Sequence, residues 1–168
     1  MNIELKNVKH YESMSEETYC FEASLYVDGE RVGAVSNRGI GGCHDYDFDR
    51  KTETKLNEWC KANLPKWSMF DDEEYDTDLE LHIFNLVTEF LDSKHLKSLL
   101  NKAVMVMDDR CKAGEAFEWK FSKYKGRSKA DVVRGVMNVV NKREEFVNPV
   151  VLNALSFKDA KSIYFQKS

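Results

Sequence analysis

Tyr19-Cys20-Phe21-Glu22-Ala23-Ser24-Leu25-Tyr26-Val27-Asp28-Gly29 is the stretch that decides the fold class. Tyr19, Phe21, Ala23, Leu25 and Val27 alternate with Cys20, Glu22, Ser24 and Tyr26, a period of two that sends one set of side chains to a buried face. Asp28-Gly29 then predicts a tight hairpin, because a primed two-residue turn needs positive φ at both positions. Arg31–Asn37 is the return strand. Upstream, Ile3 and Leu5 alternate with polar neighbours until Val8 breaks the period, so Asn2–His10 predicts a strand with a bulge. The first 38 residues are expected to form a three-stranded antiparallel meander.

Helical spacing takes over downstream. Asp49 or Thr52 is placed to cap a helix running to about Asn63, and Pro65 stops it, since the residue before a proline is pushed out of helical geometry. Thr77-Asp78-Leu79-Glu80 has capping-box spacing ahead of Leu79, Ile83, Leu86, Val87, Phe90 and Leu91. Ser93 is expected to open a second helical segment carrying Leu96, Leu99 and Leu100. Ala103-Val104-Met105-Val106-Met107 is too short for a helix and predicts a strand covered on both faces. Phe117, Trp119 and Phe121 alternate in a further strand, and Ser128 caps a helix through Val140. The segments 150–155 and 162–165 fit helix or strand equally. The expectation is a single α+β domain over residues 1–168, with an antiparallel sheet of about five strands and three main helices packed mostly on one face.

Composition excludes several function classes. With 42% hydrophobic and 32% charged residues the chain has the make-up of a globular protein. It shows no apolar run of membrane-spanning length and no signal-peptide pattern, so no membrane partner is expected. Cys20, Cys43, Cys60 and Cys111 contain no Cys-x-x-Cys pair, which fits four reduced thiols in the cytoplasm. The net charge of -4 hides two poles. Residues 1–100 hold 11 Lys/Arg against 21 Asp/Glu, and the rest of the chain holds 14 against 8. Asp71–Glu80 carries seven acids in ten residues, whereas Lys120–Lys129 carries five bases and no acid. Overall acidity leaves nucleic acid open as a partner but does not favour it.

Three segments carry candidate chemistry. Asn37, Arg38, Gly39, Gly41 and Gly42 form a glycine-rich loop, but the Gly-x-x-x-x-Gly-Lys-Ser/Thr and Gly-x-Gly-x-x-Gly spacings are missing, and the acids that follow would repel a phosphate. His44, Asp45, Asp47 and Asp49 are nitrogen and oxygen donors for Mg²⁺ or Mn²⁺. A calcium loop fails the test, because Arg50 stands where the glycine belongs and Leu56 where the bidentate acid belongs. Lys123, Tyr124, Lys125, Arg127, Ser128 and Lys129 combine cations, an aromatic ring and a helix start, the parts of an anion or nucleotide pocket. No nucleophile elbow and no His-Glu-x-x-His motif is found.

Leu5-Lys6-Asn7-Val8-Lys9, Phe21–Gly29 and Asn37-Arg38-Gly39-Ile40-Gly41-Gly42-Cys43-His44-Asp45-Tyr46 resemble a family of small uncharacterised proteins of bacteria and their phages, over roughly the first 50 residues. The Gly-Gly-Cys-x-Asp-Tyr stretch is the most specific part of that likeness. The resemblance implies a phage or mobile-element source and no activity, cofactor or site residue. With the charge poles it leads to an expected non-enzymatic accessory or counter-defence factor. Its ligand would be a host protein or a phosphate-bearing small molecule such as a nucleotide, and no cofactor is expected beyond the Mg²⁺ or Mn²⁺ named above. The alternative is a metal-dependent phosphoesterase or nuclease built on His44, Asp45, Asp47 and Asp49. Oligomeric state is not indicated by the sequence.

Overall fold

The alternation at the head of the chain becomes a meander of β1 (Ile3–His10), β2 (Cys20–Val27) and β3 (Glu30–Arg38). A computed structural model describes residues 1–70 and 73–166; Asp71 and Asp72, at the head of the acidic run, lie outside the described residues. Asp28 and Gly29 both take positive φ in the β2–β3 turn, as the hairpin requires. The β1–β2 register shifts between Lys6 and Lys9, around Asn7 at φ 55°, which is the expected bulge. A short fourth strand, β4 (Asp45–Asp47), pairs with Ala34–Ser36 to give the antiparallel order β1-β2-β3-β4.

By packing, the chain divides into two compact units, Met1–Leu91 and Asp92–Ser168. In the first, Ile3, Phe21, Ala23, Leu25 and Val35 from the sheet are buried with Leu56 and Cys60 of α1 (Arg50–Asn63) and with Leu79, Ile83 and Val87 of α2 (Leu79–Lys102). Each fully buried aliphatic contributes roughly 1.5–3 kcal/mol of transfer free energy. Asp49 caps α1 by accepting from the Thr52 N–H at 3.0 Å. After Pro65 a small hairpin pairs β5 (Trp67–Phe70) with β6 (Glu73–Tyr75).

In the second unit β7 (Ala103–Met107) is the central strand of the order β8-β7-β9, between β8 (Phe117–Lys120) and β9 (Val150–Val151). Its five residues are all buried, as the apolar run predicts. Ala103, Met105 and Met107 pack with Leu96 and with Ala160 and Tyr164 of α4 (Phe157–Phe165), while Val104 and Val106 pack with Val132, Val136 and Val140 of α3 (Lys129–Val140).

The α+β class and the antiparallel pairing are as expected; the strand count and the helix arrangement differ. Among the described residues the strands fall into sheets of four, two and three instead of one sheet of about five, four α-helices form where three main ones are expected, and helices cover both faces of β7. Ser93 starts no new segment, because α2 runs unbroken through it. The α2 cap is Asp78, which accepts from the Leu81 N–H at 2.8 Å; Thr77 instead donates to the Pro65 carbonyl and Glu80 turns elsewhere. Among the described residues no helix is long and apolar enough to cross a membrane, and the four cysteines are free.

Candidate functional site

The glycine-rich loop is a frame, and its backbone donors and acceptors are directed inward. The Gly39 carbonyl accepts from the N–H groups of Glu16, Glu17 and Thr18 at 2.8, 2.9 and 3.3 Å. Gly39 sits at φ +85°, and a Cβ there would lie 2.2 Å from the Met14 carbonyl oxygen, so no other residue fits. Asn37 is buried beneath the loop. Its Oδ1 accepts from Thr18 Oγ1 at 2.7 Å and from the Gly39 N–H at 2.8 Å, and its Nδ2 donates to the Gly42 carbonyl at 3.1 Å. The Gly41 N–H faces Thr18 Oγ1 at 3.4 Å. Arg38 is exposed and reaches Asp45 at 3.9 Å.

What the frame holds is His44. Its side chain is only 6% exposed, and its ring packs edge-on to Phe21 with centroids 5.2 Å apart. Glu80, on the first turn of α2, accepts from the His44 backbone N–H at 2.8 Å and from the Tyr46 hydroxyl at 3.0 Å. The same carboxylate lies 3.2 Å from His44 Nδ1. Asn37 Nδ2 is also 3.2 Å from Nδ1. The two contacts demand opposite tautomers. Only the Asn37 contact has the geometry of a hydrogen bond, so Asn37 Nδ2 donates to Nδ1 and Glu80 meets the ring through its charge alone. Asn37 Nδ2 also faces the Cys43 carbonyl at 3.5 Å.

That assignment places the proton of the neutral ring on Nε2, and Nε2 is the one buried side-chain polar atom without a hydrogen-bond partner among the described residues. An unmade bond of this kind costs about 1–3 kcal/mol. Burial lowers the His44 pKa, against the opposing charges of Glu80 and Asp45, so the ring is neutral at physiological pH. Burial and the Glu80 carboxylate push the Tyr46 phenol upward, which keeps it a donor.

His44 lines a cavity of about 550 Å³ in the first unit, floored by Phe21 and Val87. Tyr19 and Phe84 stack at 5.6 Å along one wall, and Trp67 and Tyr75 lie 5.2 Å apart along another. Trp67, Tyr75 and Phe84 are 37%, 41% and 40% exposed, large values for rings of this size, so they form an open rim. Asp76, Asp78 and Glu80 also line the cavity, against one cation, Lys61. The described part of the acidic run is therefore joined to an aromatic hollow, a link that residues spread from Thr18 to Val87 could not announce in sequence.

The four expected metal donors are not gathered. His44 is pinned to Glu80, Asp49 caps α1, and Asp45 and Asp47 occupy β4 on either side of Tyr46. Among the described residues no group of three or more His, Cys, Asp or Glu is placed to hold a metal ion.

The basic turn belongs to the second unit. Phe121–Lys123 form a 3₁₀ turn, Gly126 takes φ +81°, and Lys123, Lys125 and Arg127 are exposed. Tyr124 is half-buried against the Val132–Val136–Val140 cluster. Lys129 Nζ donates to the Asn101 carbonyl at 2.8 Å and lies over the Phe121 ring. Ser128 Oγ accepts from the Asp131 N–H and donates to the Asp131 carboxylate at 2.6 Å, so an acid already sits at the start of α3. A hollow of about 530 Å³ nearby is lined by Lys120, Phe121 and Ser122 from this region.

No protein-family model matches the chain, and no curated protein or solved structure matches it either.

Proposed function

We propose that this chain is a non-enzymatic binding protein, an accessory or counter-defence factor of a phage or mobile element, whose partner is a basic surface of a host protein seated on the aromatic and acidic cavity of the first unit. The observation that carries the binding role is His44 Nε2, a buried polar atom without a partner in the wall of an open, aromatic-rimmed cavity. Natural cores rarely leave such an atom unsatisfied, and exceptions mark sites where something else supplies the bond. The rim of Trp67, Tyr75 and Phe84 has the make-up of interface anchors. Asp76, Asp78 and Glu80 add negative charge to the same cavity, which favours a cationic partner and steers its approach. The source rests on the resemblance of the first 50 residues.

A phosphate-bearing ligand is supported less well, because Asp131 occupies the helix start that would receive it and carboxylates line the aromatic hollow of the first unit. The test is calorimetric titration with short Lys/Arg-rich peptides and, separately, with nucleotides in the presence and absence of Mg²⁺ or Mn²⁺. Peptide binding that weakens with salt and is lost in Phe84→Ala is the expected outcome. Nucleotide binding lost in Lys125→Ala with Arg127→Ala would move the site to the second unit. Metal-dependent phosphoester hydrolysis abolished by Asp45→Asn would make the protein an enzyme.

A further inference from the structure

We infer that the cavity of the first unit receives a carboxamide, whose oxygen accepts from His44 Nε2 and whose N–H groups turn to the carboxylates lining the same hollow; this rests on the binding role proposed for that cavity. The sense of the unmade bond follows from the frame beneath it. The Gly39 N–H can only donate, so the Asn37 atom that meets it at 2.8 Å is the oxygen, and Nδ2 is the atom turned to the imidazole. An amide nitrogen offers hydrogens and no acceptor, so Nδ1 accepts and the one proton of the neutral ring sits on Nε2. The hollow therefore presents a buried N–H in want of an oxygen.

That N–H rules out a group made only of donors, whether ammonium or guanidinium, as its direct partner. Asp76, Asp78 and Glu80 in turn repel a phosphate or a carboxylate. What remains is an uncharged group with an acceptor and donors of its own. A hydroxyl has both, but it leaves the open faces of Trp67, Tyr75 and Phe84 uncovered. A carboxamide is planar, brings one oxygen and two N–H hydrogens, and can lie flat on an aromatic face. Its hydrogens have a defined destination. Glu80 already accepts from the His44 N–H and the Tyr46 hydroxyl, and Asp78 caps α2. Among the described residues Asp76 meets Lys66 through one oxygen, at 3.4 Å, so its second oxygen is open to the amide. Basic residues flanking the amide on the partner answer the remaining negative charge.

The carboxamide has two sources, a Gln or Asn side chain within a basic segment of a protein partner or a small free amide. Titration of the full chain with acetyl-Lys-Gln-Lys-methylamide, with its Met and Glu counterparts at the central position, and with propionamide separates them. The Gln peptide is expected to bind roughly tenfold more tightly than the other two, the usual worth of satisfying a buried donor. Propionamide binding as tight as that of the Gln peptide would assign a small-molecule ligand, and much weaker binding a protein side chain. In ¹⁵N-resolved spectra of the unsubstituted protein the His44 proton should be found on Nε2, and its resonance should move on addition of the Gln peptide. His44→Phe should bring the Gln affinity down to the Met level. Equal affinity for the Gln and Met peptides, Glu binding as tightly as Gln, or a ring protonated at Nδ1 would overturn the carboxamide assignment while leaving the binding role. Failure of all three peptides and of propionamide to bind would remove both.

Discussion

His44 with Glu80 in the first unit and Asp108 with Arg110 in the second are two solutions to the same problem, an ionisable side chain held out of solvent beside a charged neighbour. The Asp108 side chain is fully covered, and both its oxygens are answered: Oδ1 by the Arg110 N–H at 3.0 Å, Oδ2 by the Arg110 guanidinium. Arg110 in turn donates to the Glu145 carbonyl at 2.8 Å. Hydrogen bonds from Arg110 hold the Asp108 carboxyl down at about 2. Nothing is left over, and the pair ties the 108–111 turn to the 145 loop. In the first unit Glu80 is answered by the His44 backbone N–H and the Tyr46 hydroxyl, but the imidazole beside it keeps one nitrogen with no partner. A closed arrangement stabilises a loop; an open one is stable only at a standing cost, and that difference separates a structural residue from a candidate binding residue.

The comparison breaks most severely at the frames beneath each pair. Gly39→Ala forces a Cβ against the Met14 carbonyl at positive φ, and a loss of roughly 2–4 kcal/mol in urea melts is expected. The counterpart in the second unit is Asn153, whose Oδ1 accepts from the Met105 N–H at 2.8 Å and whose Nδ2 donates to the Leu100 and Ala103 carbonyls. Asn153→Ala strands three backbone groups and should cost about 2–3 kcal/mol. A Gly39→Ala protein as stable as wild type would mean that the loop moves freely and does not fix His44.

Next comes the contrast between the pairs themselves. His44→Phe removes the orphaned nitrogen and keeps the packing against Phe21, so its effect should stay within about 1 kcal/mol. Arg110→Ala leaves the Asp108 carboxylate without its guanidinium, with backbone donors and the weak Cys111 thiol alone, and it should lower the melting temperature by more than His44→Phe does. Reversal of that order would show that His44 is a structural residue.

The sequence made the local steps visible because they depend on neighbours. The alternation through Phe21, Ala23 and Leu25, the Asp28-Gly29 turn, the Asp49 and Ser128 caps and the Pro65 stop all form where their residue types require. The Thr77 capping box did not form, and the reason is tertiary: Glu80, needed to close it, is drawn to His44 and Tyr46, 36 and 34 residues away. The same contact hid the site. Asp45 and Asp47 looked like ligands at even spacing, yet that spacing is the alternation of β4. His44 stood beside them with nothing local to mark it as buried. A histidine following a glycine cluster was the one available signal, since such clusters let the backbone double back and bury what comes next.

Acid should separate the two units less sharply. In the first, burial lowers the pKa of both His44 and His82 from the ordinary 6.5. Around His44 the facing groups are Glu80, Asp45, Asn37 and Tyr46, and the two acids only partly offset burial. The unfolded chain takes up protons as pH falls through 6.5 while the folded chain resists, so stability is full above that value and declines below it. Asp108 behaves differently: its contribution is full above the ordinary 3.8 and is lost only as pH falls toward about 2. Melts from pH 8 to 4 should show a decline beginning near pH 6.5 that is reduced in His44→Phe and unchanged in Asp108→Asn.

The smallest effect is expected at the basic turn. Lys125 and Arg127 are exposed, and they stand in the second unit, outside the set of residues lining the His44 cavity. Lys125→Ala with Arg127→Ala should therefore shift stability by no more than about 0.5 kcal/mol. Affinity for a basic peptide should be unchanged, because neither residue lines the cavity. At low salt, removing two positive charges should speed association slightly, as long-range repulsion of a cationic ligand falls. A tenfold loss of basic-peptide binding in this double variant would contradict both expectations, since no electrostatic effect of that sign follows from deleting cations. It would place the binding surface on the turn entering α3, and the orphaned nitrogen in the first unit would need another explanation.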